Sequence, residues 1–261
     1  MTASHEDARM RPLTRRAFSL GALASAAAAG LRARDVQAAP AEPDEGPKVL
    51  IAGDSMIAGG FGMFLERALR KTHGYDVARR GRSSSGMARP DFFNWTKEAE
   101  RLVEERKPDA TLLMFGGNDV QGLYMGKGEW IRWGEEGWNE EYARRVNALC
   151  DLFAPEEQQL FWVGLPIMRP EKFRRRCAHV NTIFRAEMAL RKNALFIDAW
   201  DLLTNEKREY VDKMAVKTTP EATAKVVRVR AHDGIHLSGD GAGVLKRHVL
   251  TKILPILDAM S

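Results

Sequence analysis

The chain has 261 residues, 44% of them hydrophobic and 29% charged, with a formal net charge of +5. That length suits one sizeable core, and the balance is that of an ordinary globular domain. Residues 1–38 hold six Arg against three acids, which leaves 34 basic and 32 acidic residues in the body. A body so nearly neutral excludes an electrostatic case for nucleic-acid binding.

The N-terminus reads as an address. Arg15-Arg16 is followed by Phe18, and then by the small-residue apolar run from Ala17 to Leu31. Val36-Gln37-Ala38 fits the small-x-small rule for signal peptidase. The Arg pair with Phe resembles a twin-arginine signal. The apolar run spans 15 residues, against the roughly 20 of a spanning helix, so no stable membrane insertion of the mature chain is expected. These features predict a signal peptide over 1–38, read by the twin-arginine export machinery and cleaved near Ala38. A periplasmic or secreted location follows. Residues 39–47, rich in Pro, Glu and Asp, read as a flexible lead-in.

From residue 48 the pattern alternates. Lys48–Gly53 is a short apolar run and predicts a buried strand; Phe61–Lys71 follows at helical spacing. Tyr75–Arg79 predicts the second strand and Phe93–Arg106 a helix, stopped by Lys107-Pro108. Ala110–Phe115, Gln159–Gly164 and Ala194–Asp198 predict the third to fifth strands, with helices over Asn139–Phe153, Arg174–Lys192 and Ser238–Met260. Pro255 is expected to kink or fray the last helix. Strands alternating with helices predict an α/β domain over 48–261, a parallel sheet covered on both faces with its site at the C-terminal strand ends. Two inserts interrupt this. Val120–Trp138 holds Trp130, Trp133, Trp138 and five glycines; Thr204–Arg230 ends in an alternating run, Lys225–Arg230, like a hairpin arm. Cys150 and Cys177 fall in helical segments, either as two separate buried thiols or as a pair.

Three groups at strand ends carry chemistry. Ser55, in Gly53-Asp54-Ser55-Met56, stands where a nucleophile needs to stand, between a strand and the positive end of a helix; an ordinary helix cap has the same composition. Asn118, in Gly116-Gly117-Asn118-Asp119, can donate to a developing oxyanion; the same residues also make a good turn. Asp233 and His236, in Asp233-Gly234-Ile235-His236, can meet if the chain turns helically between them. Asp233 would then orient His236, which could take the proton of Ser55. Asp233 as a cap of the last helix is the rival, but Ser238 caps equally well. Asp54, Asp119 and His232 read as supporting groups. No metal or cofactor is called for.

With Ser83-Ser84-Ser85-Gly86 these motifs make four blocks in the order of the SGNH (GDSL-like) hydrolase superfamily, which the chain resembles over roughly 48–257. The runs Ser85–Phe93 and Phe161–Arg169 are similar to a bacterial cell-envelope branch long listed as a domain of unknown function. Met56 stands where the family most often has Leu, a swap conservative in volume. The resemblance implies a three-layer flavodoxin-like fold with five parallel strands in the order 2-1-3-4-5. It implies a catalytic triad of Ser55, Asp233 and His236. It also implies an oxyanion hole from the Ser55 and Gly86 backbone N–H groups and the Asn118 side chain, with Gly81 the rival of Gly86. The implied activity is hydrolysis of a small acyl ester, such as acetyl, on a small molecule or an envelope glycan. An O-acyltransferase with the same triad, or a non-catalytic glycan-binding module, remains open. Trp130, Trp133 and Trp138 either shape the substrate site or form a small core of the insert. Arg89, with Arg79, Arg80, Arg82 and Arg174–Arg176, either attracts an anionic polymer or is solvated surface.

Overall fold

The computed structural model describes residues 46–155, 158–219 and 221–260. The signal segment over 1–38 and all but the last two residues of the lead-in lie outside the described residues. The elements begin β1 (Lys48–Gly53), α1 (Ser55–Ala58), α2 (Gly60–Thr72), β2 (Asp76–Gly81), α3 (Trp95–Arg106) and β3 (Ala110–Met114). A hairpin, β4 (Leu123–Gly126) and β5 (Glu129–Ile131), precedes α4 (Trp138–Phe153), β6 (Gln159–Val163), α5 (Glu171–Ala189) and β7 (Ala194–Ile197). A second hairpin, β8 (Lys213–Val216) and β9 (Lys225–Arg228), leads to α6 (Gly239–Leu257), which tightens into a 3-10 turn over Asp258–Met260.

Five strands form one parallel sheet in the order β2-β1-β3-β6-β7. This is the 2-1-3-4-5 order of the flavodoxin-like fold. The chain first steps from β1 outward to β2, then reverses and adds β3, β6 and β7 on the other side. Right-handed crossovers therefore place α2 on one face and α3, α4 and α5 on the other. The packing agrees: α2 lies on α6, while α3, α4 and α5 form one continuous layer. Edge strand β2 records both faces at once. Neighbouring side chains on a strand point oppositely, and here Arg79 reaches Glu66 of α2 at 2.6 Å while Arg80 reaches Glu98 of α3 at 2.6 Å.

The central strands are apolar because both of their faces are covered. Val49–Gly53, Ala110–Met114 and Leu160–Val163 are all buried. On the α3–α4–α5 face an aromatic row fills the layer. Trp95 meets Phe115 edge-on at 4.8 Å, Phe115 lies 6.1 Å from Trp162, and Trp162 lies 4.5 Å from Phe184. Such pairs add about 0.5–1.5 kcal/mol each beyond the area they bury. Cys150 and Cys177 are both free and buried, so the separate-thiol alternative holds.

Some boundaries differ from the sequence reading for local reasons. The second strand runs two residues further, to Gly81, because its backbone stays paired with β1 through Gly53. Helix α3 starts after Asn94, whose side chain accepts from the Lys97 N–H at 3.0 Å. Helix α5 starts three residues before Arg174, where Pro170 presets the entry and its carbonyl accepts from the Arg174 N–H at 2.8 Å. The Trp-rich insert folds as a hairpin whose turn uses left-handed Lys127 (φ 51°) and Gly128 (φ 83°). The alternating run after Thr204 forms β9 only to Arg228.

Gly53 closes β1 where nothing larger fits. A Cβ there would stand 2.3 Å from the Met114 carbonyl oxygen and 2.5 Å from Ile57 Cγ1. Gly53→Ala is expected to destabilise the protein by roughly 1–3 kcal/mol, the usual range for overpacking. Urea unfolding should show a lower midpoint at unchanged slope; an unchanged midpoint would contradict the packing.

Candidate active site

Four loops meet at the C-terminal edge of the sheet. In the first, the Asp54 N–H donates to the Met114 carbonyl at 3.2 Å, which ties the turn to β3. The Asp54 carboxylate caps α1, accepting from the Met56 N–H at 3.0 Å. Ser55 is thus the first residue of the helix and not its cap. That helix has only four residues and stops at Gly59. The helix terminus expected behind Ser55 is therefore a single turn, too short for a substantial macrodipole.

The second loop brings Asp233 and His236 to Ser55. Ser55 Oγ lies 2.9 Å from His236 Nε2, and His236 Nδ1 lies 2.6 Å from Asp233 Oδ2. The other Asp233 oxygen accepts from the backbone N–H groups of Ile235 at 2.8 Å and His236 at 2.9 Å. This wraps the chain so that side chains three residues apart face each other. Burial pushes the Asp233 carboxyl up, but the hydrogen bonds from the His236 ring and from these two N–H groups outweigh it and hold it at about 2. Asp233 is therefore a carboxylate across the neutral range. Ser238 caps α6, accepting from the Gly241 N–H at 3.1 Å, which leaves Asp233 free for His236.

This loop is braced from beneath. Arg230 is fully buried; its guanidinium donates to the Ile167 carbonyl and, at 3.4 Å, to the Ile235 carbonyl. The Arg169 N–H donates to the Gly234 carbonyl at 3.0 Å and its guanidinium to the His232 carbonyl at 2.6 Å. His232 itself is exposed. In the sequence Arg230 looks like the end of a hairpin arm, not a buried brace. Arg228-Val229-Arg230 alternates without a break, so the sequence carries no local signal of this burial, which arises where the chain bridges Arg230 to Leu237.

The third and fourth loops, after β2 and after β3, hold Gly86 and Asn118. One Asn118 amide hydrogen goes to the Ser85 carbonyl at 3.0 Å, leaving the second available. The Ser85 hydroxyl is itself fixed, donating to the Arg82 carbonyl at 2.6 Å and accepting from the Trp95 indole at 2.9 Å. Gly86 is pressed against Asp119: a Cβ there would fall 2.1 Å from Asp119 Oδ1. That carboxylate accepts from the Ala88 N–H at 2.8 Å and the Tyr142 hydroxyl at 2.9 Å. Arg145 adds a clamp from α4, donating to the carbonyls of Met87 and Tyr124 at 2.8 Å each while pairing with Glu141 at 2.6 Å. Gly81, the rival glycine, is instead inside β2, paired with Gly53.

The residues thought to shape the substrate site have separate surroundings. Trp138 is buried, its indole N–H donating to the Gln121 carbonyl at 2.8 Å. Trp133 is half-buried, 4.3 Å from Trp138. Only Trp130 is exposed, against Tyr124 at 5.2 Å and beneath the Arg89 guanidinium at 5.1 Å. Arg89 also pairs with Asp91 at 2.7 Å, and Arg82 lies over the ring of Phe93 at 5.7 Å. Among the described residues, no group of three or more His, Cys, Asp or Glu is placed to hold a metal ion.

Asp54 and Asp119 are both fully buried behind this edge. Burial pushes Asp54 up to about 7, and the neighbouring Asp119 carboxylate adds to the shift; the N–H groups of Met56 and Gly117 and the charge of His236 oppose it. Burial likewise raises Asp119, against the donors Ala88 and Tyr142. An acid whose folded value is raised binds more protons folded than unfolded, so its contribution to stability falls as pH rises. For Asp54 that loss runs from about 4 to about 7. In Asp54→Asn, thermal melts should show a flatter pH dependence in that window than the native chain; identical slopes would rule out the buried carboxyl as its source.

Residues 48–252 match the family model described as "Protein of unknown function (DUF459)". No curated protein sequence matches significantly. Among solved structures, a catalytic mutant of an acetylxylan esterase from Geobacillus stearothermophilus is 19% identical, with a TM-score of 0.53 over 80% of this chain and 94% of that one. An alpha/beta hydrolase enzyme from the metagenome of Lake Arreo, Spain, is 19% identical, with a TM-score of 0.57 over 79% and 94%. A GDSL-like lipase from Bacteroides thetaiotaomicron is 14% identical, with a TM-score of 0.53 over 80% and 89%. At these identities the likeness is one of fold. The family model covers most of the chain, and the sheet order and these neighbours agree: the chain belongs to the DUF459 family and has the SGNH hydrolase fold.

Proposed function

We propose that the protein is an exported serine esterase that acts through an acyl-Ser55 intermediate. The observation that carries this reading is the continuous hydrogen-bonded series from Ser55 Oγ through His236 to Asp233, at 2.9 and 2.6 Å. A hydroxyl becomes a nucleophile when an adjacent base takes its proton and a third group orients that base.

In this mechanism Ser55 Oγ attacks the ester carbonyl as His236 Nε2 takes its proton. Asp233 holds the proton of Nδ1 in place and stabilises the imidazolium. The tetrahedral oxyanion is met by the backbone N–H groups of Ser55 and Gly86 and the free amide hydrogen of Asn118. With only one helical turn behind Ser55, these discrete donors supply the stabilisation. His236 then protonates the leaving alcohol, and the acyl group stays on Ser55. A water, deprotonated by His236, cleaves the acyl-serine and restores the hydroxyl.

The solved neighbour that is an acetylxylan esterase supports a small acyl group on a carbohydrate. The N-terminal Arg15-Arg16 motif supports export as a folded chain and cleavage near Ala38, which would put the substrate in or beyond the periplasm. Asp233 and His236 are each 44% exposed, which favours water over an excluded-water transfer to a sugar hydroxyl.

A fluorophosphonate probe should label Ser55 in the folded protein, and Ser55→Ala should abolish both the label and hydrolysis of p-nitrophenyl acetate. Labelling that persists in the variant would overturn the assignment. Asn118→Ala should lower kcat by about 10²–10³-fold with KM little changed, as for removal of one oxyanion donor; an equal rise in KM at constant kcat would place Asn118 in ground-state binding instead.

A further inference from the structure

A cavity of about 490 Å³ opens between the Trp133–Asn139 segment and the first turns of α5. Its size falls within the roughly 300–1,000 Å³ of small-ligand sites. One wall is aromatic, made by Trp133 and Trp138. The facing side carries Lys172, Arg175 and Arg176, against one lining carboxylate, Glu135. Glu135 already accepts from the Arg132 N–H at 2.7 Å.

Most arginines elsewhere on the domain are neutralised: Arg79 by Glu66, Arg80 by Glu98, Arg185 by Asp198 and Arg191 by Asp151. At this cavity the balance differs. Among the described residues, neither Lys172 nor Arg176 has a carboxylate partner, and Arg175 pairs only with Glu171 at the surface. The Arg176 guanidinium is held in place, with its centre 4.8 Å from the Trp133 ring and one N–H on the Val120 carbonyl at 2.7 Å. Its other donors remain available, in a planar fork suited to a carboxylate or phosphate.

The cavity is coupled to the proposed reaction centre on both sides. Val120, which receives Arg176, follows Asn118 by two residues. The Trp138 indole holds Gln121, whose side-chain amide donates to the Asn118 carbonyl at 2.5 Å. On the other side, α5 begins two residues after Arg169, which braces the loop of Asp233 and His236.

We propose that this cavity binds a sugar unit bearing a carboxylate or phosphate, the ring against the indole wall and the anionic group on Arg176, Arg175 and Lys172. Its role as a subsite for the polymer whose ester is cleaved rests on the esterase reading; the binding itself does not. The two exposed cations, Lys172 and Arg175, can be neutralised without touching the Arg176 contacts.

The test is titration of the full chain and of a Lys172→Gln/Arg175→Gln variant with tetragalacturonate, mannose 6-phosphate, and xylotetraose as the neutral control. At low salt, one or both anionic ligands should bind about tenfold or more tighter than xylotetraose, weakening as salt rises, and the variant should lose most of that preference. The arm that binds identifies carboxylate or phosphate as the natural group. Equal affinity for neutral and anionic ligands, or an unchanged preference in the variant, would overturn the proposal. Anion-selective binding by a chain that neither takes the fluorophosphonate label nor cleaves p-nitrophenyl acetate would leave the subsite standing and remove the esterase.

Discussion

A fully buried carboxyl group has to find hydrogen-bond partners, and Asp119 makes that requirement organise the site. Its oxygens take the N–H of Ala88 and the hydroxyl of Tyr142, and its bulk occupies the space that a side chain at position 86 would need. The loop carrying Gly86 is therefore shaped from behind by a residue on the Asn118 turn and anchored to α4. Asp54 does the same one strand over: it caps the turn of Ser55 and receives the N–H of Gly117, next to Asn118. Two interior acids thus register three separate loops against one another. That arrangement strains their ionisation, which burial resists.

Much of this was legible in the sequence because the information is local. The buried strands are short unbroken apolar runs, and their spacing with helices dictates a covered parallel sheet. Ser55 and Asn118 each follow such a run, so the topology gathers them without any knowledge of long-range contacts; the Asp233/His236 pair follows the β8–β9 hairpin, outside the parallel sheet, and was legible from its own three-residue spacing. Ser238 as the cap of α6 was readable for the same reason.

What was not legible depends on partners distant in the chain. Arg230 looks like any surface arginine until the fold surrounds it with the carbonyls of Ile167 and Ile235. Tyr142 looks like one more apolar position on an amphipathic helix, although its hydroxyl holds Asp119. The length of the helix after Ser55 was also hidden: Gly59-Gly60 marks a break, but only the packing of α2 shows that the helix restarts there. The three tryptophans, similar in the sequence, separate into one exposed and two packed residues because only Trp130 lies on the outer hairpin.

The shallow seat of the His236–Asp233 pair has a geometric consequence. Both side chains stand 44% open at the rim of the sheet. A group borne midway along a long strand can reach a centre of that kind sideways, without an end being threaded in. For the polymer proposed as substrate, access would be governed by how closely its backbone can approach the rim and not by its length, so chain ends would hold no privileged position.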